Sequence, residues 1–315
     1  MTKVRYFGAV CALILLVLPP ALVAGTSDSS VCAECIRKNL DYLAGPELHG
    51  RGSGTTDEFH AAEYIARQLK SYGLTPGADG YYIQTGTIQS PNGQVSHTWN
   101  VLAKIEGTTE KQQIILLSAH LDHLGVKNGQ TYPGADDDGS GTVAVMELAR
   151  ALATQTRPRR TVVFALWGSE ETGLVGARYF LKHPTFDLHD IVANLEFEMI
   201  GRADAKVKPD QLWLTGWERS NLGPELAAHG ANLVGDPHPE QNFFRRSDNY
   251  ALAKDGIVAQ TVSSFGLHKD YHQPTDTLDR IDWQHLDSAI GSMISPVGWL
   301  ANSDFTPQWN AGGRP

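Results

Sequence analysis

Apolar residues at helical spacing mark the first long element of this chain. Phe59, Ala62, Ile65, Ala66 and Leu69 recur three and four apart from Thr56 onward, until Gly73 ends the pattern. Ahead of it, residues 32–43 read as a helix and residues 45–54 as a Gly/Pro-rich loop. Residues 81–105 alternate well enough for two strands, the second at 100–105. A regular rhythm follows: a buried strand at 114–117, a helix at 142–153, a buried strand at 161–166, a helix at 173–182, a strand at 191–199, and another at 256–262. A final helix runs from 282 to about 300. Strands that are apolar almost throughout, alternating with helices, predict a single α/β domain: a mixed, mostly parallel central sheet with helices on both faces. The interval 201–244 is rich in Gly, Pro and Trp and shows no period that orders it.

The N-terminus follows a different plan. Lys3 and Arg5 precede an apolar run at 9–18, then Pro19-Pro20 and the small residues of 21–25, the order of a secretory signal peptide. The run is about ten residues, short of the roughly 20 that a bilayer core requires. This predicts removal of residues 1–24, an exported, periplasmic or extracellular domain over 25–302, a flexible tail over 303–315, and no membrane contact after cleavage. Cys32 and Cys35, a Cys-x-x-Cys pair just past the cleavage site, suit a local disulfide in an oxidising compartment.

Across 315 residues, 26 Lys and Arg stand against 35 Asp and Glu, a net charge of −9. That balance argues against a surface built to neutralise phosphates, and nucleic acid drops out as a partner. The acids are not evenly spread. In an open α/β sheet, ligands bind beyond the carboxyl ends of the strands, and the polar clusters fall there. Ser118-Ala119-His120-Leu121-Asp122 follows one apolar strand and Trp167-Gly168-Ser169-Glu170-Glu171 the next; Glu196-Phe197-Glu198-Met199 follows a third. The run Asp136-Asp137-Asp138 introduces a helix, and Tyr271-His272-Gln273-Pro274-Thr275-Asp276 follows the last strand. Taken singly, each reads as capping or a solvated pair. Gathered at one edge, so many carboxylates repel unless cations neutralise them. Nitrogen and oxygen donors without thiolate suit zinc, with manganese or cobalt as further possibilities.

These five clusters, in this order, resemble the five signatures of the two-zinc exopeptidase family that includes bacterial leucyl aminopeptidases and glutamate carboxypeptidase. Gly50-Arg51-Gly52-Ser53-Gly54 and Trp99-Asn100-Val101 resemble that family's entry segments, so the likeness covers essentially the whole mature chain. Carried over by position, the resemblance implies two Zn2+ ions bridged by Asp136. One ion would add His120 and Glu198, the other Glu171 and His272. Asp122 would accept the second ring N–H of His120, Glu170 would act as general base, and Tyr271 would hydrogen-bond the oxyanion. The resemblance also implies a cis peptide between Asp136 and Asp137.

The expected activity is hydrolysis of the N-terminal residue of a peptide by metal-activated water. A carboxypeptidase using Arg245 or Arg246, a one-zinc glutaminyl cyclase-like acyltransferase and a non-catalytic peptide-binding relative are the alternatives. The chain also departs from the family pattern. Glu198 stands where many members have Asp, with Glu196 as a competing ligand. Asn249 stands where relatives carry His, and Val258 where they often carry Pro. His97, His123 and His268 lack ligand-spaced partners and read as structural.

Overall fold

The computed structural model describes residues 1–4, 31–89 and 95–315. From residue 5 to residue 24, the segment read as a signal lies outside the described residues. The elements run α1 (Ala33–Leu43), α2 (Thr56–Ser71), β1 (Thr75–Pro76), β2 (Ile83–Gln89), β3 (Val95–Ile105), β4 (Glu110–His120), β5 (Gly125–Lys127) and β6 (Gln130–Tyr132). After these come α3 (Gly141–Ala153), β7 (Arg160–Trp167), α4 (Val175–Lys182) and β8 (Ile191–Phe197). The last are β9 (Leu212–Leu214), α5 (Leu222–Ala228), β10 (Leu233–Gly235), α6 (Asn249–Lys254), β11 (Ala259–Ser263) and α7 (Trp283–Asn302).

Nine strands form one sheet in the order β1-β3-β7-β4-β8-β11-β9-β10, with β2 paired to β3. Strands β7, β4, β8 and β11 are mutually parallel, while β3 joins β7 and β9 joins β11 antiparallel. The near-continuous apolar strands are the parallel centre, as expected when both faces are covered. Successive side chains point to opposite faces. Ile115, Leu117, Val162, Phe164 and Leu166 pack with α1, α2, α3, α5 and α7. Ile114, Leu116, Val163, Ala165 and Trp167 pack with α4 and α6. Strands β4, β7 and β8 end side by side, with His120 opposite Trp167 and Ser118 opposite Glu196. The residues that follow these ends are thereby brought to one edge.

Residues 303–315 do not hang free as a tail. Arg160 Nη1 donates to the Phe305 carbonyl at 2.7 Å, Gln308 N to Asn221 Oδ1 at 2.7 Å, and Trp309 Nε1 to the Gly256 carbonyl at 3.0 Å. Arg219 Nη1 closes the strap on the Gly313 carbonyl at 3.0 Å. Tryptophan and backbone amides placed beside unpaired carbonyls give the segment partners that polarity alone did not announce. The unordered interval 201–244 holds β9, α5 and β10, whose strands are three residues each and too short to show a period. Cys32 and Cys35 form a disulfide at the start of α1.

Phe164 lies wholly buried at the centre of β7. Phe164→Ala should lower unfolding stability by about 3–5 kcal/mol, read as a shift in urea midpoint at unchanged slope.

Candidate metal centre

Three strand ends and two loops converge on Asp137. His120 is the last residue of β4, Glu170 and Glu171 follow β7, and Glu198 follows β8. The loop 135–140 leaves helical geometry at Asp137 and Asp138 after Gly134 has turned through a left-handed conformation, φ 62°. A side chain on Gly134 would run into His123 and the Asp137 carbonyl, so the turn requires glycine. That local path decides which aspartate of the run faces the cleft, and it is Asp137. Its Oδ1 lies 3.3 Å from His120 Nε2, and its Oδ2 lies 3.1 Å from His272 Nε2 and 3.8 Å from His123 Nδ1. Donor atoms of His120, Asp137 and Glu198 form one set that could hold an ion, and those of His123, Asp137 and Glu171 a second. His272 Nε2 also sits 3.1 Å from Glu171 Oε2.

Asp136 is turned away from this point. Its Oδ1 accepts from Gly201 N at 2.8 Å and Ser140 Oγ at 3.0 Å, and its Oδ2 faces His268 Nε2 at 2.8 Å. The residue common to both donor sets is therefore Asp137 and not Asp136, and the cis peptide lies between Asp137 and Asp138. Asp138 is fully buried and fixes the loop: Oδ2 accepts from His120 N, and Oδ1 from Gly141 N and Met199 N, at 3.0–3.2 Å. Asp276 accepts from Asp136 N and Asp137 N at 3.0–3.2 Å. Its pKa is pushed up to about 8 by burial and by the neighbouring Asp136.

The expected bond between Asp122 and His120 is also displaced. His120 Nδ1 lies 3.2 Å from the Asp122 carbonyl oxygen but 3.7 Å from Oδ1, beyond hydrogen-bond reach of the carboxylate. The Asp122 carboxylate instead accepts from Glu170 N at 2.9 Å, Glu171 N at 3.4 Å and Ser53 Oγ at 2.5 Å. It holds the turn that presents both glutamates. Glu196, the competing ligand, accepts from the backbone of Asn249 and belongs to neither donor set. Asn249 gives its amide to the Phe244 and Ala259 carbonyls. Tyr271 stacks on His272 with ring centroids 4.0 Å apart and accepts from Arg246 Nη2 at 3.4 Å. His97 is exposed beside Thr87, away from these donors.

Two residues of the site escaped the sequence reading. His123 is wholly buried, and its position three residues beyond His120 was the available signal. Glu58, on α2, is wholly buried as well. It accepts from Ser169 Oγ at 3.0 Å, Thr98 Oγ1 at 3.3 Å, Trp99 N at 3.4 Å and Gly54 N, and it packs so tightly on Gly168 that no side chain fits there. Ser169, in a left-handed conformation with φ 53°, is thereby pinned directly before Glu170. No short-range pattern links positions 58 and 169.

Charge at the centre follows from burial and neighbours. Burial pushes Glu170 well above the usual carboxylate range, reinforced by Asp248, Glu198 and Glu171. Burial also lifts Glu198, to about 7. Burial opposes ionisation of Asp137, yet the three histidines around it hold it well below that range. Whether these residues fit a metal is tested by their orphans. Both ring nitrogens of His123, Asp137 Oδ2 and Glu171 Oε1 are buried without a hydrogen-bond partner. Yet His123 Nδ1 and Glu171 Oε1 lie 2.8 Å apart. They approach a shared point without aligning on each other, as donors to a common cation do. An all-nitrogen and oxygen set fits zinc or a similar divalent ion.

Residues 100–296 match the sequence profile of peptidase family M28. The chain belongs to that family. It is 29% identical over 213 residues to leucine aminopeptidase 2 of Arthroderma otae, covering 59% of this chain and 41% of that protein. It is 29% identical over 236 residues to the probable lipoprotein aminopeptidase LpqL of Mycobacterium tuberculosis, covering 64% and 45%. The chain thus spans less than half the length of these curated relatives. Its fold matches the aminopeptidase from Aneurinibacillus sp. strain AM-1 at TM-score 0.68 and 17% identity, covering 89% of this chain and 97% of that one. It matches the zinc aminopeptidase BSAP from Bacillus subtilis at 0.68 and 14%, covering 90% and 97%. The glutaminyl cyclase of Porphyromonas gingivalis shares the architecture too, at 0.66 and 18%, over 85% and 98%. The single α/β domain of this M28 chain is therefore the architecture that these three enzymes share.

Two measurements check the site. Asp137→Asn should weaken zinc binding by more than about 100-fold, while Asp136→Asn should leave it within about tenfold, by metal titration. Glu58, lifted to about 8 by burial and by Asp122, holds its proton more tightly folded than unfolded. The stability it adds is complete below about pH 4.5 and is lost as pH rises through about 8. Wild-type stability relative to Glu58→Gln should accordingly fall between pH 5 and pH 9 in denaturant titrations.

Proposed function

We propose that the chain is an exported zinc-dependent aminopeptidase that removes N-terminal residues from peptides at a two-ion centre. The observation that carries this reading is the bridging geometry of Asp137, whose two oxygens face separate donor sets. One ion is assigned to His120, Asp137 and Glu198. The other is assigned to Asp137, Glu171 and His272, with His123 within reach of the same two carboxylates. Two donor sets favour this reading over a one-zinc cyclase, and a filled set of ligand residues favours it over a non-catalytic relative. Export is supported by the order of residues 1–25 and by the Cys32–Cys35 disulfide, which suits an oxidising compartment.

Zinc held by His120, Asp137, Glu171, Glu198 and His272 would supply Lewis acidity toward the scissile carbonyl and the attacking water. The protein's residues handle the protons. Glu170, raised by burial and its carboxylate neighbours, takes the proton of the attacking water and returns it to the departing amine. Asp122 and Glu58 keep that carboxylate aimed, the first through Glu170 N and the second through Ser169. Tyr271, whose hydroxyl is held neutral by burial and by Asp137 and Glu198, is a hydrogen-bond donor for the oxyanion that develops at the carbonyl. The surplus of carboxylates favours a substrate with a free ammonium over one whose amine is blocked.

The test is turnover of free and N-acetylated dipeptides by zinc-loaded protein, with hydrolysis expected only of the free-amine forms. Glu170→Gln should bind zinc as wild type does and lose about 100- to 10,000-fold in kcat; full activity in that variant would refute the base assignment.

A further inference from the structure

Beside the Glu198 carboxylate a narrow recess opens, with about 380 Å³ of empty space counting its open side. Met199, Trp213, Phe243, Phe265 and Tyr271 line it, and Arg246 is the single Lys or Arg among its lining residues. Arg246 is exposed, yet it is held in place. Its guanidinium carbon lies 4.8 Å from the Phe243 ring centroid and 5.8 Å from that of Tyr271, and Nη2 donates to the Tyr271 hydroxyl at 3.4 Å. Among the described residues these are its ring and polar contacts, and none is anionic. Arg202 meets Asp270 at 2.8 Å and Arg219 meets Glu218 at 3.7 Å, while Arg245, outside the recess lining, contacts the Tyr250 ring.

From this geometry we infer that Arg246 is a carboxylate-binding subsite, taking an acidic group of the bound peptide at the edge of the recess. The inference rests on the peptidase reading above and narrows its substrate class. Apart from Arg246 and the Glu198 carboxylate, the residues lining the recess carry no charge, so Arg246 is its cationic anchor for an acidic group. A guanidinium offers a planar pair of donors that matches a carboxylate, and the two rings and the Tyr271 hydroxyl beside Arg246 restrain it before the ligand arrives. Among the described residues no acid is paired to Arg246, and beyond the single bond from Nη2 to Tyr271 its donors are left for a ligand. Two sources supply the same chemistry: the side chain of an acidic first residue seated in the recess, or the terminal carboxylate of a very short peptide lying across its edge.

Binding is best read where turnover does not intervene, by calorimetry on the zinc-loaded Glu170→Gln protein. Glu-Ala-amide against Gln-Ala-amide reports the side-chain source, and Leu-Ala against Leu-Ala-amide the terminal one. In at least one pair the acid should bind about tenfold or more tightly than its amide, the scale of one charged hydrogen-bonded contact. Adding Arg246→Gln should bring that ratio to within about twofold. Arg246→Lys, a charge without the planar fork, should fall between, and salt should erode the preference. Equal affinities in both pairs, including no measurable binding of either member, or a preference that survives Arg246→Gln, would overturn the inference. Failure of the aminopeptidase reading is separate: wild-type protein loaded with zinc would then cleave neither the acids nor the amides.

Discussion

Uncompensated negative charge is the constraint around which this molecule is arranged. Asp122, Asp137, Asp138 and Asp276 are all buried, and a buried carboxyl group needs hydrogen-bond donors, an opposite charge or a bound proton to offset its lost hydration. Each is answered differently. Asp138 is answered by three backbone amides, Asp276 by two, and Asp122 by two amides and a serine hydroxyl. Asp137 alone is answered by imidazoles, and its Oδ2 is left without a hydrogen bond. That difference in partners separates Asp137 from the acids that organise backbone.

Arg51 is the complement of this arrangement. It is almost wholly buried, and its guanidinium donates to four carbonyls, those of Leu43, Leu121, Pro133 and Gly134, at 2.6–2.9 Å. One side chain thereby ties α1, the segment after β4 and the aspartate loop into one body, and it places a positive charge behind the acids. Non-glycine residues with left-handed backbone cluster at the same edge: Arg51, Ser169, Met199 and His272 have φ between 47° and 55°. Such conformations cost on the order of 1 kcal/mol or more each and persist where surrounding bonds over-determine them.

Much of the fold was readable because its centre is apolar without interruption. Strands β4, β7 and β8 and helices α2, α3 and α7 lie within a few residues of where hydrophobic spacing put them. What spacing could not supply was identity within a run of like residues. Asp136, Asp137 and Asp138 are chemically the same, and only the path of the loop after Gly134 decides which one faces the histidines. Asp122 likewise had the right neighbourhood, but its carboxylate bonds the Glu170 turn in place of the His120 ring. His123 looked structural because its partners, Glu171 and Asp137, are remote in sequence. Glu58 gave no sign at all, since its connection to Ser169 exists only once α2 is packed on β3. The short elements β9, α5 and β10 were illegible for a plainer reason: strands of three residues and a helix of seven are too short to repeat their patterns.

The bonds made by Asp138 and Asp276 have a consequence for how ions are chosen. Backbone amides hold Asp138 and Asp276, and with them the aspartate loop, so the chain's own hydrogen bonds position the proposed donor set. On the proposed reading, the choice of metal at this donor set would be governed by the intrinsic ranking of divalent ions for imidazole and carboxylate and by their supply in the surrounding compartment.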